Sequence, residues 1–151
     1  MQLALLGGGR MGEALALGLV DAGWDPSLIA IAEVSPERRR SLDERLPGVR
    51  VVPSAAWAVA DAEVVVVAVK PPDAAGVLES CEAALSATTL VLSIAAGITL
   101  ATLEAAVPGR PVVRAMPNTG TLVGQGAAAI APGAHASELD LALAERILGS
   151  V

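Results

Sequence analysis

The chain has 151 residues, enough for one domain with a sizeable core, and 54% of them are hydrophobic although Phe and Tyr are absent. Its core must therefore be filled by Ala, Val and Leu on several packed layers. A net charge of −6 with no basic run beyond Arg38-Arg39-Arg40 argues against nucleic-acid binding, the apolar runs are too short to span a bilayer, and a lone Cys81 excludes an internal disulfide.

Strand-like and helix-like segments alternate from the start. Gln2–Leu6 predicts a first strand and Met11–Ala22 the helix that follows it. Leu28–Ala32 predicts a second strand, Pro36 to about Leu46 a helix, and Val49–Val52 a short third strand. Ser54 can cap a brief helix over Ala55–Ala60. Glu63–Val69, dominated by valine, reads as a strand buried on both faces. Pro71-Pro72 ends it and opens a helix to about Leu85, with Cys81 among its packing residues. Thr89–Ile94 is a fifth strand, Thr99 caps a helix to Ala106, and Pro111–Ala115 is a sixth strand. Gly126–Ile130 predicts a further short strand and Ser137–Leu148 a last helix. This alternation predicts an α/β fold of the Rossmann type. Its sheet is doubly wound and mostly parallel, with helices on both faces, and residues 1–151 form a single nucleotide-binding unit.

Between the first strand and the first helix stands Gly7-Gly8-Gly9-Arg10-Met11-Gly12, a G-x-G-x-x-G fingerprint in the context that gives it meaning. Gly7 permits the tight turn out of the strand. Gly9 lacks a Cβ and lets a pyrophosphate approach the backbone, and Gly12 permits close packing of helix on sheet. The phosphates of a dinucleotide would rest on free N–H groups at the positive end of the helix. The alternative is a Gly-rich turn with no ligand.

In such a fold the strand order reverses between the first and fourth strands, and ligands bind at the carboxyl ends there. The loop after the fourth strand is Ala68-Val69-Lys70-Pro71, where Lys70 is either a cation within reach of a phosphate or a surface lysine before a proline-started helix. The fifth strand leads into Ser93-Ile94-Ala95-Ala96-Gly97, small enough for backbone to lie against a ring or ribose. The sixth leads into Arg114-Ala115-Met116-Pro117-Asn118-Thr119-Gly120, where Asn118 either offers a polar group to the cleft or bonds its own backbone. Glu33 stands about 20 positions beyond Gly12, where an acid accepts from the ribose 2′-OH of NAD and repels a 2′-phosphate. Ser35, Arg38 and Arg39 follow and favour that phosphate, so the two signals conflict. The three arginines lie among Glu37, Asp43 and Glu44, a pattern that also fits a solvated helix face.

No acid–base pair stands out. His135 is the single histidine and falls near a late turn, and no His/Cys cluster has metal-ligand spacing, so no metal is expected. Met1–Leu6 lacks the basic start of a secretory leader, which predicts a cytoplasmic location.

Four segments in order carry a resemblance: Gly-Gly-Gly-Arg-Met-Gly-Glu-Ala at 7–14, Val-Ala-Val-Lys-Pro at 67–71, Ser-Ile-Ala-Ala-Gly-Ile-Thr at 93–99 and Val-Arg-Ala-Met-Pro-Asn-Thr at 113–119. Together they resemble the amino-terminal domain of the pyrroline-5-carboxylate reductase family over nearly the whole chain. The resemblance implies reduction of the cyclic imine acid 1-pyrroline-5-carboxylate to proline, the last step of proline biosynthesis, with NADP or NAD as cofactor. It implies that Gly7, Gly8, Gly9, Arg10, Met11 and Gly12 hold the pyrophosphate and that Ser35, with Glu33 and Arg38 nearby, lies where the adenosine ribose is read. Ala68, Val69, Lys70 and Pro71 would line the cofactor cleft with Ile94, Ala95 and Ala96. Asn118 would lie near the nicotinamide end, and Asn118 and Lys70 are the candidate catalytic residues.

Three departures qualify the resemblance. Glu33 and Val34 stand where many members carry neutral polar or basic residues. Gly120 replaces a usual proline, predicting a looser loop. The family continues into a helical domain that builds a homo-oligomer and much of the substrate site, whereas this sequence stops at Val151, so the expectation is a cofactor-binding part that is inactive alone. Competing readings are another nicotinamide-dependent dehydrogenase, a deazaflavin-linked NADP reductase, or an NAD(P)-sensing module without chemistry.

Overall fold

A computed structural model of the chain describes residues 1–118, 120 and 127–150. The strands are β1 (Leu3–Leu6), β2 (Ile29–Ala32), β3 (Arg50–Val52), β4 (Val64–Val67), β5 (Leu90–Ser93), β6 (Val112–Pro117) and β7 (Ala128–Pro132). The helices are α1 (Arg10–Asp21), α2 (Pro36–Arg45), α3 (Ala55–Val59), α4 (Pro71–Cys81), α5 (Leu100–Ala106) and α6 (Glu138–Leu148). The strands form one sheet in the order β3-β2-β1-β4-β5-β6-β7, parallel throughout except for β7, which pairs antiparallel with β6. The order reverses between β1 and β4, as the doubly wound expectation requires.

Side-chain alternation splits the interior into two cores. Leu3, Leu5, Val64, Val66, Leu90 and Leu92 face Leu15 and Leu19 of α1, Leu42 of α2 and Ile147 of α6. Ala4, Leu6, Val65, Val67 and Val91 face Val59 of α3, Leu78 and Cys81 of α4 and Leu103 of α5. All four valines of β4 are fully buried, which explains why the run has no polar alternation. Branched aliphatic side chains from both layers fill the space that aromatic rings fill elsewhere. No described helix is long and apolar enough to cross a membrane.

The differences from expectation sit at element ends. The fourth strand stops at Val67. The predicted helix to Leu85 ends at Cys81 and continues as a 3-10 turn over Glu82–Ala84. Leu28, assigned to the second strand, belongs to a 3-10 turn capped by the Asp25 carboxylate. The sixth strand runs to Pro117 because β7 pairs with it from Val113↔Pro132 to Pro117↔Ala128, which also shifts β7 toward Pro132. Gly126, predicted to start that strand, and Thr119 lie outside the described residues.

Candidate functional site: the carboxyl edge of the sheet

Parallel register brings the ends of β1, β2, β4 and β5 level, and β6 runs three residues past them. Leu6 pairs with Ala32 and with Val67, Val67 with Ser93, and Ser93 with Arg114. The segments after β1, β2, β4, β5 and β6 therefore leave the sheet at one edge, and the β1 and β4 loops are neighbours.

The glycine loop is built by close contact. Gly7 has φ +108°, and a Cβ there would lie 2.9 Å from the Ala68 carbonyl carbon and oxygen. At Gly12 a Cβ would overlap the Gly7 carbonyl oxygen, so α1 comes down on the turn that precedes it. Gly9 differs from both, since a Cβ there would meet nothing within 4 Å. It is the N-cap of α1 and offers no side-chain cap, leaving the first-turn N–H groups of Arg10, Met11 and Gly12 beside open space at the positive end of a twelve-residue helix. The turn thus has the features an anionic diphosphate needs: exposed donors, a favourable dipole and no side chain in the way.

The segment after β2 folds back onto this loop. Glu33 Oε2 accepts the Gly8 N–H at 3.1 Å and Oε1 accepts the Ser35 N–H at 2.8 Å. Ser35 caps α2 by accepting the Arg38 N–H at 3.3 Å. Arg38 Nε donates to the Gly8 carbonyl at 2.6 Å, while its Nη2 pairs with the buried Glu13. Arg39 Nη1 donates to the carbonyls of Glu33 and Val34 at 2.9 and 2.8 Å. The solvated-face reading of the three arginines thus holds only for Arg40, because Arg38 and Arg39 are half-buried and fasten backbone. Arg45 adds a second ion pair to Glu13 at 2.5 Å. Sequence reasoning did not single out Glu13. It is a lone acid in a first helical turn, and its two partners come from a different helix.

On the other side of the switch point, Ala68 and Val69 are half-buried and Lys70 is exposed at the N-cap of α4, with Pro71 beginning the helix. Ile94 and Ala95 are buried while Ala96 and Gly97 are exposed, so backbone there faces the cleft edge. Asn118 Oδ1 accepts the N–H groups of Gly120 and Ala127 at 3.0 and 3.2 Å, and its own N–H donates to the Ala127 carbonyl at 2.9 Å. That side-chain oxygen closes the mouth of a loop, one of the two roles left open by the sequence. Lys70 and Asn118 follow strands separated by β5, with Val67 of β4 level with Arg114 of β6 about 10 Å away and β6 running three residues further to Pro117. They are not a hydrogen-bonded pair carried by neighbouring strands. His135 is exposed, and among the described residues no His, Cys, Asp and Glu group is arranged to hold a metal.

Residues 2–97 match the profile of the family described as NADP oxidoreductase coenzyme F420-dependent. A pyrroline-5-carboxylate reductase of Mycobacterium tuberculosis is 42% identical over 139 residues, covering 87% of this chain and 46% of that protein. The one from Corynebacterium melassecola is 37% identical and covers 99% and 56%. Among solved structures, a pyrroline-5-carboxylate reductase from Coxiella burnetii superposes with a TM-score of 0.94 at 32% identity, over 99% of this chain and 56% of that one. The chain spans about half the length of the curated relatives it matches. On the match over residues 2–97 the chain belongs to the NADP oxidoreductase coenzyme F420-dependent family, and relatives that extend the likeness along nearly its whole length at 30% identity or more include pyrroline-5-carboxylate reductases.

Proposed function

We propose that this chain is the cofactor-binding part of a pyrroline-5-carboxylate reductase, cytoplasmic and homo-oligomeric when whole. It takes NADPH or NADH on the turn from Gly7 to Gly12 and serves reduction of 1-pyrroline-5-carboxylate to proline. The observation that carries the reading is the open space over Gly9 beside an uncapped first turn of α1. The relatives' names support the substrate, and the solved Plasmodium falciparum homologue, 27% identical, has NADP bound.

A bound reduced nicotinamide supplies the hydride that a C=N carbon accepts. The chain's own residues do the positioning. The N–H groups of Arg10, Met11 and Gly12 would hold the diphosphate, and the exposed backbone at Ala96 would support the far end of the cofactor. Asn118 keeps the adjoining loop closed, and Lys70 adds positive charge at the cleft edge. A protonated imine is already electrophilic, so orientation can suffice without a strong side-chain acid. Orientation requires a second wall, which these residues do not provide.

The test is titration of NADH and NADPH into the wild-type chain and Gly9→Val. A Cβ at this position meets nothing within 4 Å and the φ is not left-handed, so the variant should fold as the wild type does. It should lose at least about tenfold in affinity for both cofactors, since it occupies the space a diphosphate needs. Equal affinity would remove the site from Gly9. Mixed with cofactor and the imine acid, the 151-residue chain should show at most a trace of loss of reduced-nicotinamide absorbance. A rate equal to that of a full-length relative would show that a second wall is not needed.

A further inference from the structure

Gly8 contributes neither open space nor an unusual φ, yet both of its backbone polar groups are held by side chains. Its N–H is taken by Glu33 Oε2 at 3.1 Å and its carbonyl by Arg38 Nε at 2.6 Å. The second Glu33 oxygen is engaged with the Ser35 N–H at 2.8 Å, and Arg38 is itself fixed by the buried Glu13. A Cβ on Gly8 would overlap Leu42 Cδ1, so α2 presses on the same residue. The position of Glu33 at the end of β2 is the one from which an acid ordinarily reads ribose hydroxyls. Here each of its oxygens already accepts a backbone N–H. Those two bonds fix the carboxylate against the loop, and turning it away would leave both part-buried donors without an acceptor.

We infer that Glu33 and Arg38 are a pair of positioning residues that clamp the Gly8 backbone, one on the peptide before its Cα and one on the peptide after it, and that Glu33 acts on cofactor binding through this clamp and not by reading the ribose. The inference rests on the proposal that the turn binds a nicotinamide dinucleotide. Gly8 immediately precedes the N-cap of α1, so a shift of this backbone displaces the donors offered to the diphosphate. That diphosphate is common to NADH and NADPH, so loss of the clamp weakens both.

The two residues are separated by opposite cofactors. If Glu33 read the ribose, removing its charge would relieve repulsion of the 2′-phosphate and strengthen NADPH. The clamp requires Glu33→Gln to weaken NADPH instead, by about tenfold and by a similar factor for NADH, as misplacing a binding group does. For Arg38→Met the informative ligand is NADH, which has no 2′-phosphate for a guanidinium to reach. The clamp requires NADH affinity to fall by about tenfold. Affinities are measured by fluorescence titration well below the unfolding temperature, with circular dichroism confirming the fold of each variant. Should Glu33→Gln fail to fold, Arg38→Met with NADH carries the test.

Stronger NADPH binding in Glu33→Gln, unchanged affinity for both cofactors in that variant, or unchanged NADH affinity in Arg38→Met each overturns the inference. Because both residues hold the backbone of one residue, the double variant should lose clearly less than the product of the single losses, and a full product would also overturn it. A wild-type chain that binds neither dinucleotide removes the functional reading itself, an outcome distinct from any of these.

Discussion

Three glycines of one turn have three separate physical reasons to be glycine. Gly7 needs a left-handed backbone and Gly12 needs to be small against the Gly7 carbonyl, while at Gly9 a Cβ would meet nothing in the protein and the reason we propose is room for a diphosphate. Gly12→Ala should therefore destabilise the fold where Gly9→Val does not. Overpacking a rigid backbone contact costs about 1–3 kcal/mol, read as a lower midpoint in urea with an unchanged slope. An unaltered midpoint would mean that α1 can lift away from the turn. A second residue-scale expectation concerns Cys81. Burial pushes its thiol from an ordinary value of 9.0 up to about 11. Between those values the unfolded chain ionises the thiol and the folded chain keeps it protonated. The folded state then binds more protons, and this contribution to stability falls as pH rises from about 9 to about 11. In Cys81→Ala that part of the alkaline decline should be missing from denaturation curves, and an identical decline would assign it to other groups.

At the scale of elements a cap is a local signal and a pairing is not: of the two caps read from the sequence, Thr99 accepts the Thr102 N–H, while Ser54 stands at the N-cap of α3 without a side-chain hydrogen bond. Ser35, Thr99 and Ser137 each stand before a helical pattern, and each accepts the N–H three residues on. Ser137 goes further, forming a reciprocal box in which Asp140 accepts the Ser137 N–H at 2.8 Å. Ser137→Ala should cost about 1 kcal/mol, the usual worth of an N-cap, and lower the melting temperature by a few degrees. No shift would mean that α6 is held by Leu-rich packing alone. The antiparallel return of β7 was not legible in the same way. A short apolar run carries no mark of its direction, and its register with β6 depends on which backbone groups meet across the turn. For the same reason β6 was read two residues short of Pro117.

For the molecule as a whole, the single sheet between two aliphatic cores is the platform that brings the carboxyl ends of its parallel strands to one edge. A ligand held only by the folded edge must stabilise the whole. NADPH at a hundred times its dissociation constant should add about 2.7 kcal/mol, seen as a cofactor-dependent rise in melting temperature that Gly9→Val abolishes. A rise of equal size in that variant would place the ligand elsewhere.

The sequence by itself determined the fold class, the strand–turn–helix setting of Gly7 to Gly12 and the identity of the edge segments. Those features are local: glycine spacing, β-branched runs, prolines and caps are properties of neighbouring residues. Only the tertiary structure decided what Glu33 and Arg38 touch. Their common partner is the Gly8 backbone, 25 and 30 residues away along the chain, and it is reached because β1 and β2 are adjacent and α2 folds back over the loop. The same holds for Glu13 with Arg38 and Arg45. The attraction between opposite charges is indifferent to sequence distance, so which charges meet is settled by the packing of α1 against α2 and by nothing in the order of residues.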